Sequence, residues 1–220
     1  MADRLHPVVV IGLGRFGTAL ATGLIEQGGE VLAVDSSPAV VQRLSGQLGQ
    51  VVTADATDVD ALRELGVQDF DRAVVAIGTH QHASILVTSL LDELGVESIW
   101  AKALDRQHAR ILRRVGAHHV VLPEEEMGSR VAHLVSGEVS DYLRVSDDWV
   151  LATARPPQDL VGVPLGESGL RRRHRVTVVS VKPAGSAEFT YTDATTVLGY
   201  GDEILLAGRT ADVDRYVRSL

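Results

Sequence analysis

The sequence predicts an α/β chain in two parts: a doubly wound parallel sheet over residues 1–137 and a small α+β domain over residues 148–220, with a linker at 138–147. Three observations lead there. Six short β-rich runs alternate with segments whose apolar residues recur at three- and four-residue steps, the spacing of one helix face. Those runs are nearly continuously apolar, as strands covered on both faces of a sheet are. Beyond residue 137 the alternation stops, and β-rich runs follow one another across Gly and Pro turns.

In chain order the first six strands are PVVVIG (7–12), EVLAVD (30–35), QVVTAD (50–55), RAVVAIG (72–78), SIWAKA (98–103) and HHVVLP (118–123). Between them lie helical segments such as TALATGLIEQG, PAVVQRLSGQLG, DVDALRELGV and HASILVTSLLDELG. Several of these segments end at Gly28, Gly49, Gly66, Gly95 or Gly116, where a left-handed residue closes a helix. A further helix, EEEMGSRVAHLVSG (124–137), leaves this sheet with no strand to follow it. The second domain reads as strands in VSDDWVLATARPP, RVTVVSVKP, EFTYTDATTVL and DEILLAG, with two helices in VPLGESGL and ADVDRYVRSL.

Composition narrows the class. The 220 residues contain no cysteine, which excludes disulfides and thiolate metal sites. No apolar run reaches the roughly 18 residues that a spanning helix needs, and the N-terminus lacks a signal-peptide layout, so the expected location is the cytoplasm. The net charge of −8 is uneven: residues 150–220 carry 9 Lys/Arg and 8 Asp/Glu, which leaves 12 against 21 for residues 1–149. An acidic N-terminal part argues against nucleic acid as a partner. The basic cluster RRRHR (171–175) reads as a solvated surface loop.

The stretch VVVIGLGRFGTAL (8–20) carries the chemistry. Gly12-x-Gly14-x-x-Gly17 follows an apolar strand and opens a helix, the context in which this spacing cradles a nucleotide phosphate. The first glycine permits the tight turn, the second admits the phosphate, and the third lets helix pack on strand. Free amides and the helix dipole attract the anion. Asp35 closes the second strand, where its carboxylate suits ribose hydroxyls and repels a 2′-phosphate. These features predict a Rossmann-like site for an adenine nucleotide, with NAD and ATP both compatible.

Other positions carry two readings each. Asp55 either meets the adenine edge or caps the helix starting near Asp58. Ile77-Gly78-Thr79 forms the second lip of the crevice or simply ends a strand. Arg15 either covers a dinucleotide's pyrophosphate or pairs with a terminal phosphate. Hydride transfer would need a proton donor or acceptor beside a nicotinamide. His174 and Lys182 are the nearest candidates, in surface-like contexts, and no HExxH spacing occurs. A nucleotide sensor is therefore expected rather than an enzyme.

Taken in order, GLGRFG, VD at 35, ADATD at 54–58, VAIG at 75–78, AKALDRQHARIL at 101–112 and LPEEEMG at 122–128 resemble the RCK N-terminal domain of potassium-uptake regulators of the KtrA/TrkA type. The segment RPPQDLVGVPLGESGLRRRHRVTVVSVKP, with TVLGYGDEILLAG, is similar to the RCK C-terminal domain. The resemblance covers essentially the whole chain. It implies a non-enzymatic cytoplasmic subunit, peripheral to the inner face of the membrane, that binds ATP or ADP. Such a subunit gates a potassium-translocating partner of the KtrB/TrkH type.

The resemblance also implies a homodimer exchanging the 124–137 helix and a ring, commonly an octamer. The implied nucleotide contacts are Gly12, Gly14, Arg15, Phe16, Gly17, Asp35, Ser36, Asp55, Ala56, Ile77, Gly78 and Lys102. Within that set, Arg15 matches a γ-phosphate contact and Lys102 a basic residue approaching the phosphates. Glu124 matches an acidic residue holding a cation there, although carboxylates in a first turn also serve the helix dipole alone. His108 matches a family histidine and reads as a satisfied helix residue. NAD(H) remains the alternative cofactor.

The sequence departs from the family pattern at Ala54, where a glycine is frequent, and at His80 and His82. In some relatives the C-terminal domain binds cyclic di-AMP, a reading that Thr177, in place of an asparagine, does not favour.

Overall fold

The computed structural model describes residues 6–137 and 139–218. The chain forms two compact units, Met1–Glu125 and Glu126–Leu220. The division falls twelve residues ahead of the expected boundary at 137, inside a helix.

Six parallel strands make the sheet of the first unit: β1 (Val8–Ile11), β2 (Val31–Asp35), β3 (Gln50–Thr53), β4 (Arg72–Val75), β5 (Ser98–Lys102) and β6 (His119–Val121). Their order is β3-β2-β1-β4-β5-β6. The crossovers hold α1 (Arg15–Glu26), α2 (Pro38–Leu44), α3 (Val59–Glu64) with a 3-10 turn at Val67–Asp69, α4 (Gln81–Glu93) and α5 (Arg106–Arg114). Strand order reverses between β1 and β4, so their C-terminal ends open a crevice at the switch point.

The apolar runs become strands because both of their faces are covered. Val8 and Val10 join Leu13, Ala21, Ala33 and Leu48 on one side, while Val9 and Ile11 join Val34, Leu62, Leu91 and Leu112 on the other. Burying each such Val, Leu or Ile contributes about 1.5–3 kcal/mol, more than the roughly 1 kcal/mol span of strand propensity. Packing therefore decides these elements.

Gly28, Gly66, Gly95 and Gly116 take the expected left-handed conformation, and Gly49 does not. The reason is that α2 stops at Leu44. Leu48 continues the apolar pattern from a turn, its amide donating to the Leu44 carbonyl at 2.9 Å and its side chain buried.

In the second unit, β7 (Asp141–Arg144), β8 (Trp149–Ala154), β9 (Val176–Lys182), β10 (Thr190–Tyr191) and β11 (Glu203–Arg209) form an antiparallel sheet in the order β10-β9-β11-β8-β7. Helix α6 (Pro123–Val135) precedes it in the chain, and α7 (Leu170–His174) and α8 (Thr210–Val217) complete the unit. Val150, Ala152, Ile204 and Leu206 share an apolar cluster with Val213, Tyr216 and Val217 of α8.

Three expectations are corrected here. The 138–147 linker contains β7, whose buried Tyr142 donates to Asp214 Oδ1 at 3.3 Å and stacks on His133 at 3.7 Å; Glu138 lies outside the described residues. VPLGESGL forms turns, and the helix lies instead at α7, so RRRHR begins as a helix rather than a loop. Leu170 anchors it in the core, which a count of charges does not reveal. Of EFTYTDATTVL only Thr190–Tyr191 is strand. The expected terminal helix is α8; residues 219–220 lie outside the described residues.

His108 is fully buried on α5, and the structure corrects its satisfied reading by half. Its Nδ1 accepts from the Leu104 amide at 3.3 Å, but Nε2 has no partner among the described residues. Burial holds its pKa below the usual value, against a smaller opposing pull from Asp105. The unfolded chain thus takes up a proton near pH 6.5 that the folded chain resists, so stability is full above about pH 6.5 and falls as pH drops toward the folded pKa. In His108→Leu, denaturant unfolding between about pH 7 and pH 5.5 is expected to show a shallower loss of stability than the unaltered chain. An identical slope would show that His108 does not drive it.

Candidate nucleotide site

The site is built where β1 hands over to α1. Gly12 turns the chain at φ 95°, with its amide on the Val34 carbonyl at 2.8 Å. A Cβ at Gly17 would sit 1.9 Å from the Gly12 carbonyl oxygen, so helix and turn approach as only glycine permits. Around Gly14, by contrast, a Cβ would meet nothing within 4 Å, which leaves the space above the loop open. Gly14 caps α1 without a side-chain hydrogen bond, and the first turn of α1 carries no acidic residue. The positive end of the helix dipole therefore faces that space without an anionic side chain of its own first turn.

Asp35, half-buried at the end of β2, braces the loop. Its Oδ2 accepts from the Leu13 amide at 2.7 Å and its Oδ1 from the Ser37 amide at 2.9 Å. Each oxygen keeps a further lone pair, which suits a ribose diol. Ser36 beside it is exposed. The Asp55 carboxylate, also exposed, accepts from the Thr57 amide at 2.9 Å and hydroxyl at 2.7 Å, and these bonds hold its pKa below the usual value. The helix-cap reading of Asp55 is corrected: Asp58 caps α3, accepting from the Asp60 amide. Ala56 is buried in the core.

The second lip is Ile77-Gly78. The Ile77 amide would lie 3.0 Å from a Cβ at Gly12, so the two lips are in near contact. At Gly78 a Cβ would lie 3.2 Å from Lys102 Nζ. Lys102, at the end of β5, is 8% exposed, and its ammonium stands 5.7 Å from the centroid of the Phe16 ring. A buried ammonium needs a partner. It finds one in Glu124 of the first turn of α6, at 2.6 Å. This hydrogen bond chiefly holds the Glu124 carboxyl below the usual range; burial opposes it, and the charges of Lys102 and of exposed Arg15 add to it. Next to it, exposed Arg106 of α5 grips Glu125 through two nitrogens.

The structure thus brings Gly12, Gly14, Phe16, Gly17, Gly78, Lys102 and Glu124 to one end of the sheet, with Arg15 near enough for its charge to be felt. The sequence did not reveal the pairing of Lys102 with Glu124 or the bracing of Leu13 by Asp35. A lysine closing an apolar strand was the one hint of the former. Among the described residues no group of three or more His, Cys, Asp or Glu side chains gathers to hold a metal ion. His174 packs against Tyr216 and Lys182 pairs with Glu203, both in the second unit. No helix among the described residues is long and apolar enough to cross a membrane.

Comparison with known proteins bears on the chemistry of this site. The TrkA-N domain family matches residues 8–123. The chain is 36% identical over 208 residues to Ktr system potassium uptake protein C of Bacillus subtilis (strain 168), covering 94% of each. It is 34% identical over 212 residues to Ktr system potassium uptake protein A of Vibrio alginolyticus, covering 96% of each. Among solved structures, the GsuK RCK domain shares the fold, with a TM-score of 0.64 and 20% identity; the match covers 99% of this chain and 48% of that one, about half its length. The Shewanella denitrificans Kef CTD in AMP-bound form matches with a TM-score of 0.50 and 25% identity, covering 59% of this chain and 80% of that one.

Two substitutions test the architecture without any ligand. Gly17→Ala is expected to cost about 1–3 kcal/mol or more in denaturant unfolding, because backbone rather than a flexible side chain blocks the new methyl. Asp35→Ala, which unclips the Leu13 and Ser37 amides, is expected to cost about 1–3 kcal/mol.

Proposed function

Because the chain belongs to the TrkA-N family, as a Ktr/Trk-type regulatory subunit with RCK domains, we propose that it senses ATP and ADP and gates a membrane potassium-translocating partner of the KtrB/TrkH type. The observation that carries the nucleotide assignment is the meeting of three things at one sheet end. These are an α1 N-terminus free of its own anionic cap, a glycine pair that only backbone can approach, and the Lys102 ammonium beside Phe16 and Gly78.

In this reading the phosphates lie over Gly12, Gly14 and Gly17, and the ribose meets Asp35 and the backbone at Ser36. The adenine passes Asp55 and the backbone of Ala56, and Ile77 and Gly78 close the other side. Arg15, at the rim, meets the terminal phosphate. The AMP-bound form of the Kef domain supports the adenine class. ATP carries one more charged phosphate than ADP, so the two ligands favour different arrangements of protomers, which is what a switch requires.

The proposal gives the chain no catalytic step; its site residues hold charge rather than transfer protons. A cation at Glu124 is left out of it, because Lys102 already neutralises that carboxylate. Assembly is proposed as a homodimer formed through α6 and built into an octameric ring at the cytoplasmic face of the membrane. Met127, Val131 and Val135 support it, lying at four-residue steps along α6 and standing 52%, 44% and 79% exposed.

Thermal melting of the full chain with ATP, ADP, AMP and NADH tests this reading. With all four ligands at one concentration, about 100 times the Kd for ATP, ATP is expected to stabilise by about 2.7 kcal/mol and ADP by less. Arg15→Ala should reduce the ATP shift and spare the ADP shift. A larger shift with NADH than with ATP would replace the proposal with an NAD(H) sensor. Equal ATP and ADP shifts, untouched by Arg15→Ala, would end the role given to Arg15.

A further inference from the structure

We infer that His133 is a pH-sensitive latch: protonation of its imidazole fastens the last turns of α6 to β7 and α8 through Tyr142 and Asp214. The inference goes beyond the nucleotide reading and uses none of the residues assigned to that site.

The geometry around the ring carries it. His133 Nδ1 stands 2.8 Å from the Ser129 carbonyl oxygen, one turn earlier on α6. A carbonyl only accepts, so Nδ1 is the nitrogen that carries hydrogen and donates. In a neutral imidazole that leaves Nε2 with a bare lone pair. Nε2 lies 3.5 Å from Asp214 Oδ1, so two acceptors then face each other. A proton on Nε2 turns the same contact into an attraction between imidazolium and carboxylate. It also sets a cation on the Tyr142 ring, whose centroid lies 3.7 Å away and whose plane is tilted by only 11°. The last turn of α6, where His133 sits, is the negative end of the helix dipole and favours the same charge. Water screens these gains incompletely, because the His133 and Asp214 side chains are 31% and 23% exposed.

The other charged groups around the ring keep their state over the same range. Tyr142 donates to Asp214 Oδ1 at 3.3 Å. Burial first, and then the Asp214 charge, push its hydroxyl up to about 12 against the smaller pull of Arg144, so it stays a donor. Asp141 of β7 is held by Arg130 of α6 at 2.8 Å, and Arg218 donates to the backbone carbonyl of Asp214 rather than to its carboxylate. Carboxylates and guanidiniums hold their charge between about pH 6 and pH 8, which leaves the imidazole as the group that titrates. A proton bound more tightly by the docked helix than by the open one stabilises docking as pH falls. Leu134, packed on the core of the second unit, and the Arg130–Asp141 pair keep α6 docked throughout. His133 thus adjusts how firmly it is held.

The test is hydrogen exchange of the full chain at pH 8 and pH 6, read over α6 and β7 by mass spectrometry and corrected for the intrinsic chemical rate. Opening of the last turns of α6 is expected to fall about threefold to fivefold from pH 8 to pH 6, the scale of one partly exposed ion pair. His133→Gln should remove that response. Asp214→Asn, which keeps an oxygen for the Tyr142 hydroxyl, should remove most of it. His108 acts in the first unit with the opposite sign, so protection gained at pH 6 in α6 and β7 belongs to this cluster. Equal opening at the two pH values in the unaltered chain, or a response kept in His133→Gln, would overturn the inference. If His133→Gln loosens α6 at both pH values, Asp214→Asn decides: a lost response supports the latch, and a full response overturns it.

Discussion

One steric constraint organises the first unit: α1 must reach the turn after β1 so closely that the space between Gly17 and the Gly12 carbonyl admits no side-chain atom. The contact aims the helix N-terminus at the crevice between β1 and β4, since α1 begins only a few residues past the buried strand. Asp35 then ties the intervening Leu13 amide to the end of β2, so the loop is held by two strands rather than one. What results is a rigid ring of backbone around an open space, with dipole and amides converging on it.

Those charges are few and placed with opposite burial. Lys102 is enclosed, so its ammonium cannot rely on water and holds a carboxylate instead. Glu124 and Arg15 are exposed, where ion pairs are individually weak and easily exchanged. A buried cation with an exposed anion over it makes an exchangeable pair, because one partner is fixed and the other is free to leave.

The second unit follows a different logic. Its sheet is antiparallel, and one face carries the apolar residues that α8 covers, while Trp149, Leu143 and Val179 stay partly in solvent. Its strands are consequently less continuous in sequence, and short segments such as Thr190–Tyr191 gain their place from pairing with β9 rather than from their own composition.

The sequence by itself determined the six strands, the helices between them, the glycine turn and the position of Asp35, because each rests on local periodicity or on backbone needs that a few adjacent residues express. Tertiary structure decided the rest. Strand β7 forms because β8 pairs with it, α7 stands where Leu170 finds the core, and Gly49 is idle because α2 ends early. Above all, Lys102 and Glu124 meet across 22 residues because β5 and β6 lie side by side and α6 starts just beyond β6. No local pattern encodes such a meeting, since it depends on which strands become neighbours, and that is settled only when the whole sheet closes around its core.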